Sequence, residues 1–264
     1  MSAPRDQTAG HLAVSELVVR FGGVSALAGV SFAVRPGGVT SLIGPNGAGK
    51  TTAFNVVTGF QSPTSGRVEW DGRDVTGWRP SRIAARGLVR TFQKTSVFPA
   101  LPVLDNVLTG LHLRGRTGLG AALLRRRHVA VEERALRDEA LAVLEFVGLG
   151  ARRDEVAGGL SYGEQRLVEL AVGMAARPRL LLLDEPASGM TPAEKAATAG
   201  LIRKICETGV TVLLVEHDMR MVMGISDRVL VLNHGRLIAD GPPGDVQRDP
   251  EVIRAYLGTG HAAA

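Results

Sequence analysis

The amino-acid sequence predicts an α/β fold: a mononucleotide-binding core with a β-rich front and an inserted helical region. A short apolar strand runs through a glycine-rich loop into a helix, which is the order of elements in such a core. The 264 residues suffice for one large α/β domain, or for a core domain with a smaller one inserted. Apolar residues make up 45% and charged residues 22%, a composition that excludes disordered and collagen-like chains.

The front of the chain has the half-alternating, β-branched pattern of strands. The candidate strands are residues 12–20, 30–34 and 67–70. A turn signal, Asp71-Gly72, follows the third of them. Residues 39–43 form a further apolar strand, and the pattern from Gly49 to about Val57 predicts a helix.

The second half of the chain alternates between helices and buried strands. Apolar positions recur at helical spacing between residues 104 and 149, and again from 167 to 176. Apolar runs at 180–183 and 210–215, separated by a helix at 192–206, predict two parallel neighbouring strands. The remaining predicted elements are a hairpin of residues 228–232 and 236–240 and a short closing helix within 242–258.

Charge and cysteine content indicate a compartment but identify no partner. The 31 basic and 26 acidic side chains give a net charge of +5, which suits phosphates, an anionic membrane surface or no particular partner. The single cysteine, Cys206, cannot form an internal disulfide or a multi-thiolate metal site, so a reduced, cytosolic protein is expected. We expect Cys206 to be a small buried hydrophobe. Neither a signal peptide nor a membrane-spanning apolar run is expected, so any function at a membrane would depend on a partner.

The most informative segment is a G-x-x-x-x-G-K-T loop between a predicted strand and a predicted helix. It consists of Gly44, Pro45, Asn46, Gly47, Ala48, Gly49, Lys50, Thr51 and Thr52. Glycines let successive backbone N–H groups turn toward one anion, and the helix N-terminus adds its positive dipole end. In this context Lys50 is expected to reach the β- and γ-phosphates, and the Thr51 hydroxyl to ligate Mg²⁺. The loop therefore predicts binding of a nucleoside triphosphate.

A carboxylate pair, Asp184 and Glu185, follows the apolar strand at 180–183. The carboxyl end of that strand is expected to face the phosphate loop, so Asp184 can hold Mg²⁺ directly or through water. Glu185, one residue further on, can polarise a water in line with the γ-phosphate as a general base. The alternative is a solvated acidic pair after a core strand.

These two motifs fit kinases, GTPases, helicases and transport ATPases alike, so a third feature must decide between them. Ser161 and Gly163 open a second helix between the two motifs, in the segment Leu160-Ser161-Tyr162-Gly163-Glu164-Gln165. A serine at such a place can be a plain helix cap. The order of the motifs favours instead a second phosphate-binding helix N-terminus in the same chain.

With this segment the sequence resembles the ATP-binding cassette (ABC) ATPases, whose signature L-S-x-G lies between the two Walker motifs. The resemblance implies one cassette over residues 10–258, with flexible termini at 1–9 and 259–264. It implies a RecA-like core, an antiparallel β subdomain and a helical subdomain inserted at about 100–175. It also implies two composite ATP sites, in which Ser161, Gly163 and Glu164 of one chain complete the Walker motifs of the other.

The same resemblance assigns three residues that the spacing alone does not. Gln93, in Arg90-Thr91-Phe92-Gln93, corresponds to the glutamine that contacts Mg²⁺ and the attacking water. His217 corresponds to the histidine that hydrogen-bonds the γ-phosphate. Phe21 stands where the family has an aromatic that stacks on adenine, although a lone phenylalanine is more often part of a core.

Similarity is closer to the ATPase subunits of branched-chain amino-acid importers. The segments that carry it are residues 58–60, 63–66, 90–93, 104–107, 184–187, 216–219 and 255–258. Glu164 departs from the glutamine common in cassettes, and Thr191 replaces the Asp or Asn of the loop after Walker B. These departures predict that communication between the two sites differs in detail.

The resemblance implies an ATPase at the cytoplasmic face of the cell's inner membrane, where it powers import. Expected partners are transmembrane permease subunits, a second ATPase subunit of the same or a similar kind and, indirectly, a solute-binding protein, but no nucleic acid. Urea, short amides, aromatic acids, other amino acids or lipopolysaccharide export remain alternative cargoes, because the sequence holds no cargo-binding subunit. A soluble, non-transport cassette is disfavoured because the chain has one Walker A motif, and a GTPase because it lacks N-K-x-D.

Overall fold

The computed structural model describes residues 10–91, 97–111 and 127–257. These residues divide into two compact units. The first comprises residues 10–90, 179–186 and 195–257, and the second comprises the described parts of 91–178 together with 187–194.

The first half of the chain consists mainly of strands, whereas helices alternate with strands in the second half. The first elements in chain order are β1 (Leu12–Phe21), β2 (Val24–Val34), β3 (Val39–Ile43), α1 (Lys50–Val57), β4 (Ser65–Trp70), β5 (Arg73–Asp74), α2 (Pro80–Ala84) and β6 (Leu88–Arg90). Three longer helices follow: α3 (Val103–Leu111), α4 (Arg127–Phe146) and α5 (Tyr162–Ala175). The last elements are β7 (Leu180–Asp184), α6 (Pro192–Glu207), β8 (Thr211–Val215), α7 (Met219–Ile225), β9 (Arg228–Asn233), β10 (Arg236–Gly241), α8 (Pro243–Val246) and α9 (Pro250–Leu257).

The first unit holds two sheets. An antiparallel sheet has the strand order β2-β1-β4-β5, and a six-stranded sheet has the order β10-β9-β3-β8-β7-β6. In the second sheet β9, β3, β8, β7 and β6 pair in parallel, and β10 pairs antiparallel with β9. The prediction that β7 and β8 are parallel neighbours is confirmed, with Leu182 opposite Leu213. The predicted hairpin is confirmed as β9 and β10.

Both faces of the parallel sheet are buried, which explains the continuous apolar runs of its central strands. Successive residues of β3 enter different clusters: Leu42 packs with the antiparallel sheet and α1, whereas Ile43 packs with helices of the opposite face. Val252 of α9 belongs to the same cluster as Ile43. The closing helix therefore packs against the strand that leads into the phosphate loop.

The second unit is helical. Its helices α3, α4 and α5 pack on one another, joined by 3₁₀ turns at Gly150–Arg152 and Ala157–Gly159. The helix that Ser161 is predicted to open is confirmed: it begins at Tyr162, and Ser161 is its N-cap. The single helix predicted at the carboxyl end is two short ones, each beginning at a proline, Pro243 and Pro250. The predicted flexible termini, residues 1–9 and 259–264, lie outside the described residues.

Cys206 is expected to be a poorly reactive thiol. Burial raises the pKa of this thiol to about 11, against the opposing charge of Arg203. At pH 8 the thiolate is the reactive form, so iodoacetamide should alkylate the folded chain roughly 10²-fold more slowly than the urea-unfolded chain. Mass spectrometry of timed samples measures both rates. Equal rates in the folded and unfolded chains would contradict the expectation.

Candidate functional site

Four neighbouring parallel strands bring the predicted catalytic segments of the first unit to one edge of the sheet. The strand order places β3, β8, β7 and β6 side by side, with their carboxyl ends at the same edge. At that edge the phosphate loop follows β3, His217 follows β8, Asp184 and Glu185 close β7, and Arg90 closes β6. Segments far apart in sequence thus meet at the place where parallel α/β sheets bind ligands.

Two glycines of the phosphate loop leave no space for a side chain. A Cβ at Gly44 would lie 2.0 Å from the carbonyl oxygen of Leu232, and one at Gly49 would lie 2.6 Å from that of Ala26. Gly49 also has φ of 105°, a conformation that other residues rarely adopt. As the N-cap of α1, Gly49 offers no side chain to the first helical N–H groups, which are thus suited to an anion.

The side chain of Lys50 folds back over the phosphate loop. Its ammonium donates to the carbonyl oxygen of Gly44 at 2.6 Å and to that of Pro45 at 2.9 Å. Burial lowers the pKa of Lys50, while the charges of Glu185 and Asp184 act in the opposite direction. The two carboxylates at the end of β7 thus oppose the effect of burial on the pKa of Lys50.

Asp184 is buried and paired. Its side chain is 3% exposed, and Oδ2 accepts a hydrogen bond from Arg90 Nη2 at 2.7 Å. The other arm of the same guanidinium, Nη1, donates to Oδ1 of Asn55 in α1, also at 2.7 Å. Arg90 therefore connects the metal-ligand candidate to the helix that follows the phosphate loop.

Glu185 departs from ordinary strand geometry. Its φ is 50°, in the left-handed region that few residues other than glycine occupy. Its N–H still donates to the carbonyl oxygen of Val215 at 2.8 Å, which extends the β7–β8 pairing by one residue. Such strained residues concentrate at functional sites, where the surrounding structure holds them in place.

His217 is exposed, and the residue before it, Glu216, is buried and hydrogen-bonds the backbone of His217. Its side chain is 63% exposed, whereas Glu216 is buried and its Oε2 accepts from the backbone N–H groups of His217 and Asp218 at 3.1 and 3.4 Å. Asp218 caps α7 by accepting from the N–H of Met221, and it pairs with Lys195 at 2.7 Å. The bond from Lys195 and that from Met221 lower the pKa of Asp218. Both flanking carboxylates thus fix the backbone on which His217 stands.

The signature residues belong to the second unit and form a capping box at the start of α5. The Ser161 hydroxyl accepts from the N–H of Glu164 at 3.3 Å, and the Glu164 carboxylate accepts from the N–H of Ser161 at 2.9 Å. Hydrogen bonds from Ser161 lower the pKa of Glu164. Ser161 is therefore a helix cap as well as a candidate phosphate contact. Ser161 and Tyr162 are exposed in the single chain.

Thr191 forms a second capping arrangement at the start of α6. The carboxylate of Glu194 accepts from the N–H and the hydroxyl of Thr191 at 2.8 and 2.7 Å, and the Glu194 N–H donates to Thr191 Oγ1. These bonds lower the pKa of Glu194. A Cβ at Gly163 would lie 2.5 Å from Oε1 of Glu194. Both departures from the common cassette pattern, Glu164 and Thr191, thus occupy helix-capping positions.

The remaining predicted site residues divide between exposed and undescribed positions. Phe21 is the last residue of β1, and 53% of its surface is exposed. A residue that stacks on a base must be accessible, whereas a core residue would be buried. Gln93 lies outside the described residues. The sequence reasoning gave no role to Arg90 or Glu216, although each stands within a segment that it singled out. The sequence feature that could have pointed to both residues is a charged side chain at the end of a buried strand.

The residues present fit a nucleoside triphosphate with Mg²⁺. Exposed Asn46, Gly47 and Thr51 leave the loop accessible, and the uncapped start of α1 suits phosphate oxygens. Mg²⁺ takes oxygen ligands, typically one or two carboxylates or hydroxyls together with substrate phosphates. The Asp184 carboxylate and the Thr51 hydroxyl supply ligands of that kind.

Comparison with known proteins identifies the family. The family model described as ABC transporter matches residues 27–188, and that described as branched-chain amino acid ATP-binding cassette transporter matches residues 236–262. The high-affinity branched-chain amino acid transport ATP-binding protein BraF of Pseudomonas aeruginosa is 45% identical over 94% of this chain and 97% of its own.

Solved structures agree with these matches. A nucleotide-free ATP-binding cassette from an ABC transporter superposes with a TM-score of 0.83 at 33% identity, over 94% of this chain and 99% of its own. A structure described as the ADP conformation of an ATP-binding cassette of an ABC transporter gives a TM-score of 0.82 at 32% identity, over 95% of this chain and 100% of its own. Among the described residues no helix has the length and apolarity needed to cross a membrane. The chain therefore belongs to the ABC transporter family, as one of its ATP-binding cassette ATPases.

Proposed function

We propose that the chain is the ATP-hydrolysing subunit of an ABC importer that powers uptake of branched-chain amino acids or a related small polar solute. The observation that carries this proposal is the sheet edge where a phosphate loop, two carboxylates and a histidine follow adjacent parallel strands. The substrate class rests on the match of residues 236–262 and on relatives such as BraF. The reaction is phosphoryl transfer from ATP to water.

The proposed roles within one chain follow from position and chemistry, and for Gln93 and Phe21 from the resemblance to the family. Lys50 exchanges its two loop carbonyls for phosphate oxygens, to which its positive charge is better matched. Thr51, Asp184 and Gln93 would hold Mg²⁺, which when bound would offset negative charge on the phosphates. Phe21 stacks on the adenine ring.

Two further residues act on the reacting atoms. Glu185 accepts a proton from the attacking water and aligns that water with the γ-phosphate. His217 hydrogen-bonds the γ-phosphate from the exposed position that Glu216 and Asp218 support. The positive φ of Glu185 supports its role, because a strained backbone at the end of β7 fixes where the carboxylate starts.

ABC cassettes work as dimers with transmembrane permease subunits. We propose that the second ATPase is the same or a similar chain, whose Ser161, Gly163 and Glu164 complete the nucleotide site. The exposure of Ser161 and Tyr162 in the single chain supports a contact made between chains. The assembly is peripheral, on the cytoplasmic face of the cell membrane, and responds indirectly to a solute-binding protein. No nucleic acid takes part.

The base assignment predicts the behaviour of Glu185→Gln. This change keeps the size of the side chain and removes the proton acceptor, so phosphate release at saturating Mg-ATP should fall by roughly 10² or more while ATP binding is retained. Glu207→Gln, the same change at an exposed carboxylate of α6, is the matched control and should leave turnover at the parent value. Parent-like turnover in Glu185→Gln would contradict the assignment of Glu185 as the general base.

Sharing of each site between chains predicts complementation. Lys50→Ala and Ser161→Arg should each be inactive as homodimers, whereas the mixed dimer contains one intact site and should recover ATPase activity. Different affinity tags on the two chains isolate the mixed dimer. The reference is the double variant mixed with parent chain, in which each site carries one defect. Activity no higher than this reference would refute the shared site, and if the natural partner is a different ATPase the test is run with it present.

The substrate class predicts which solute stimulates hydrolysis. In proteoliposomes that hold the chain with its permease subunits, and with the solute-binding protein added, leucine, isoleucine or valine should raise ATP hydrolysis severalfold. Urea and acetamide serve as comparison solutes and should not. Phosphate release is measured with each solute at the same concentration. Stimulation by urea without stimulation by leucine would replace the proposed cargo but leave the ATPase assignment intact.

A further inference from the structure

Arg90 is a buried charged residue that the proposed mechanism does not use. It ends β6, and its side chain is 7% exposed. Burying a guanidinium is costly unless its donors are paired with acceptors. What Arg90 contacts therefore indicates what its burial stabilises.

The guanidinium lies between two elements of the nucleotide site. Nη2 donates to Oδ2 of Asp184 at 2.7 Å, and Nη1 donates to Oδ1 of Asn55 at 2.7 Å. The guanidinium carbon lies 5.5 Å from the centre of the Phe54 ring, within range of a cation–π contact. Because the guanidinium is planar and rigid, its two bonds fix the Asp184 carboxylate relative to α1.

The bond to Arg90 uses one oxygen of Asp184. A carboxylate held at one oxygen has its plane restricted, while the second oxygen can still accept a ligand. Side chains that hydrogen-bond a metal ligand in this way typically change metal affinity by 10- to 100-fold when they are removed. Asn55 extends the same chain of contacts into α1, the helix that follows the phosphate loop.

We propose that Arg90 is a positioning residue for Mg²⁺. It holds the Asp184 carboxylate in a fixed position relative to α1, and ATP and the ion therefore bind cooperatively. The inference rests on the proposed role of Asp184 as a metal ligand. Asn55 is the second member of this link, and it touches the carboxylate only through Arg90 in the described contacts. The link gives the phosphate loop and the metal ligand one shared support within the first unit.

The test measures coupling between nucleotide and ion rather than activity. All chains carry Glu185→Gln to prevent turnover, and ATP affinity is determined by calorimetry in EDTA and in saturating Mg²⁺. The ratio of the two dissociation constants is the coupling. Arg90→Lys keeps the charge but cannot bond both Asn55 and Asp184 in the fork geometry, so the ratio should fall about tenfold while affinity in EDTA stays within about twofold of the parent.

Asn55→Ala keeps the buried ion pair and removes the other end of the link. It should lower the coupling in the same direction by roughly threefold, and it keeps the test informative if Arg90→Lys folds poorly. The matched control is Arg179→Lys, which alters a different Arg–Asp pair in the first unit, with Asp71. Its coupling should equal the parent value.

Two outcomes would overturn the positioning role. One is parent-like coupling in both Arg90→Lys and Asn55→Ala. The other is an equal loss of affinity with and without Mg²⁺, which would make Arg90 a general scaffold for the fold. Asp184→Asn separates this inference from its premise: parent-like coupling in Asp184→Asn would refute the ligand assignment itself. Weak coupling in Asp184→Asn with parent-like coupling in the other two variants would refute the positioning role alone.

Discussion

The parallel pairing of β3, β8, β7 and β6 is the constraint on which the nucleotide site depends. Parallel strands direct their carboxyl ends to one edge, so the residues that follow each strand meet there whatever their distance in sequence. Residues 44–52, 90, 184–185 and 217 are neighbours for this reason. The sheet can hold this arrangement because both of its faces are covered, with Leu42 and Ile43 packed on opposite sides.

Desolvation determines how the charged residues at that edge are arranged. Asp184, Arg90 and Glu216 are largely withdrawn from water, and each is engaged by hydrogen bonds. Lys50, partly buried, satisfies its ammonium on carbonyl oxygens of its own loop. Asp184, Arg90 and Glu216 are thus held in place before a substrate arrives, and electrostatic stabilisation in active sites depends on such preorganisation. Lys50 differs from them, because it must exchange its loop carbonyls for phosphate oxygens.

Local backbone geometry also fixes the positions of the candidate site residues. Gly44 and Gly49 allow the loop to approach Leu232 and Ala26 more closely than any side chain would permit. Glu185 adopts a left-handed conformation although it is not glycine, while its N–H completes the pairing with β8. In the second unit, Ser161 with Glu164 and Thr191 with Glu194 fix the starts of two helices by reciprocal capping. Each of these positions combines a structural requirement with a candidate chemical role.

The sequence by itself determined the fold class, the phosphate loop, the two carboxylates and the order of the parallel strands β7 and β8. These features depend on local patterns: apolar runs, glycine spacing and residue types next to one another. It did not reveal that Arg90 pairs with Asp184 and Asn55, or that Glu216 supports His217, because such pairs depend on which strands lie adjacent and on burial. Tertiary structure decided these points, since Arg90 finds its partners on neighbouring elements rather than along the chain, and Glu216 supports His217 from a buried position.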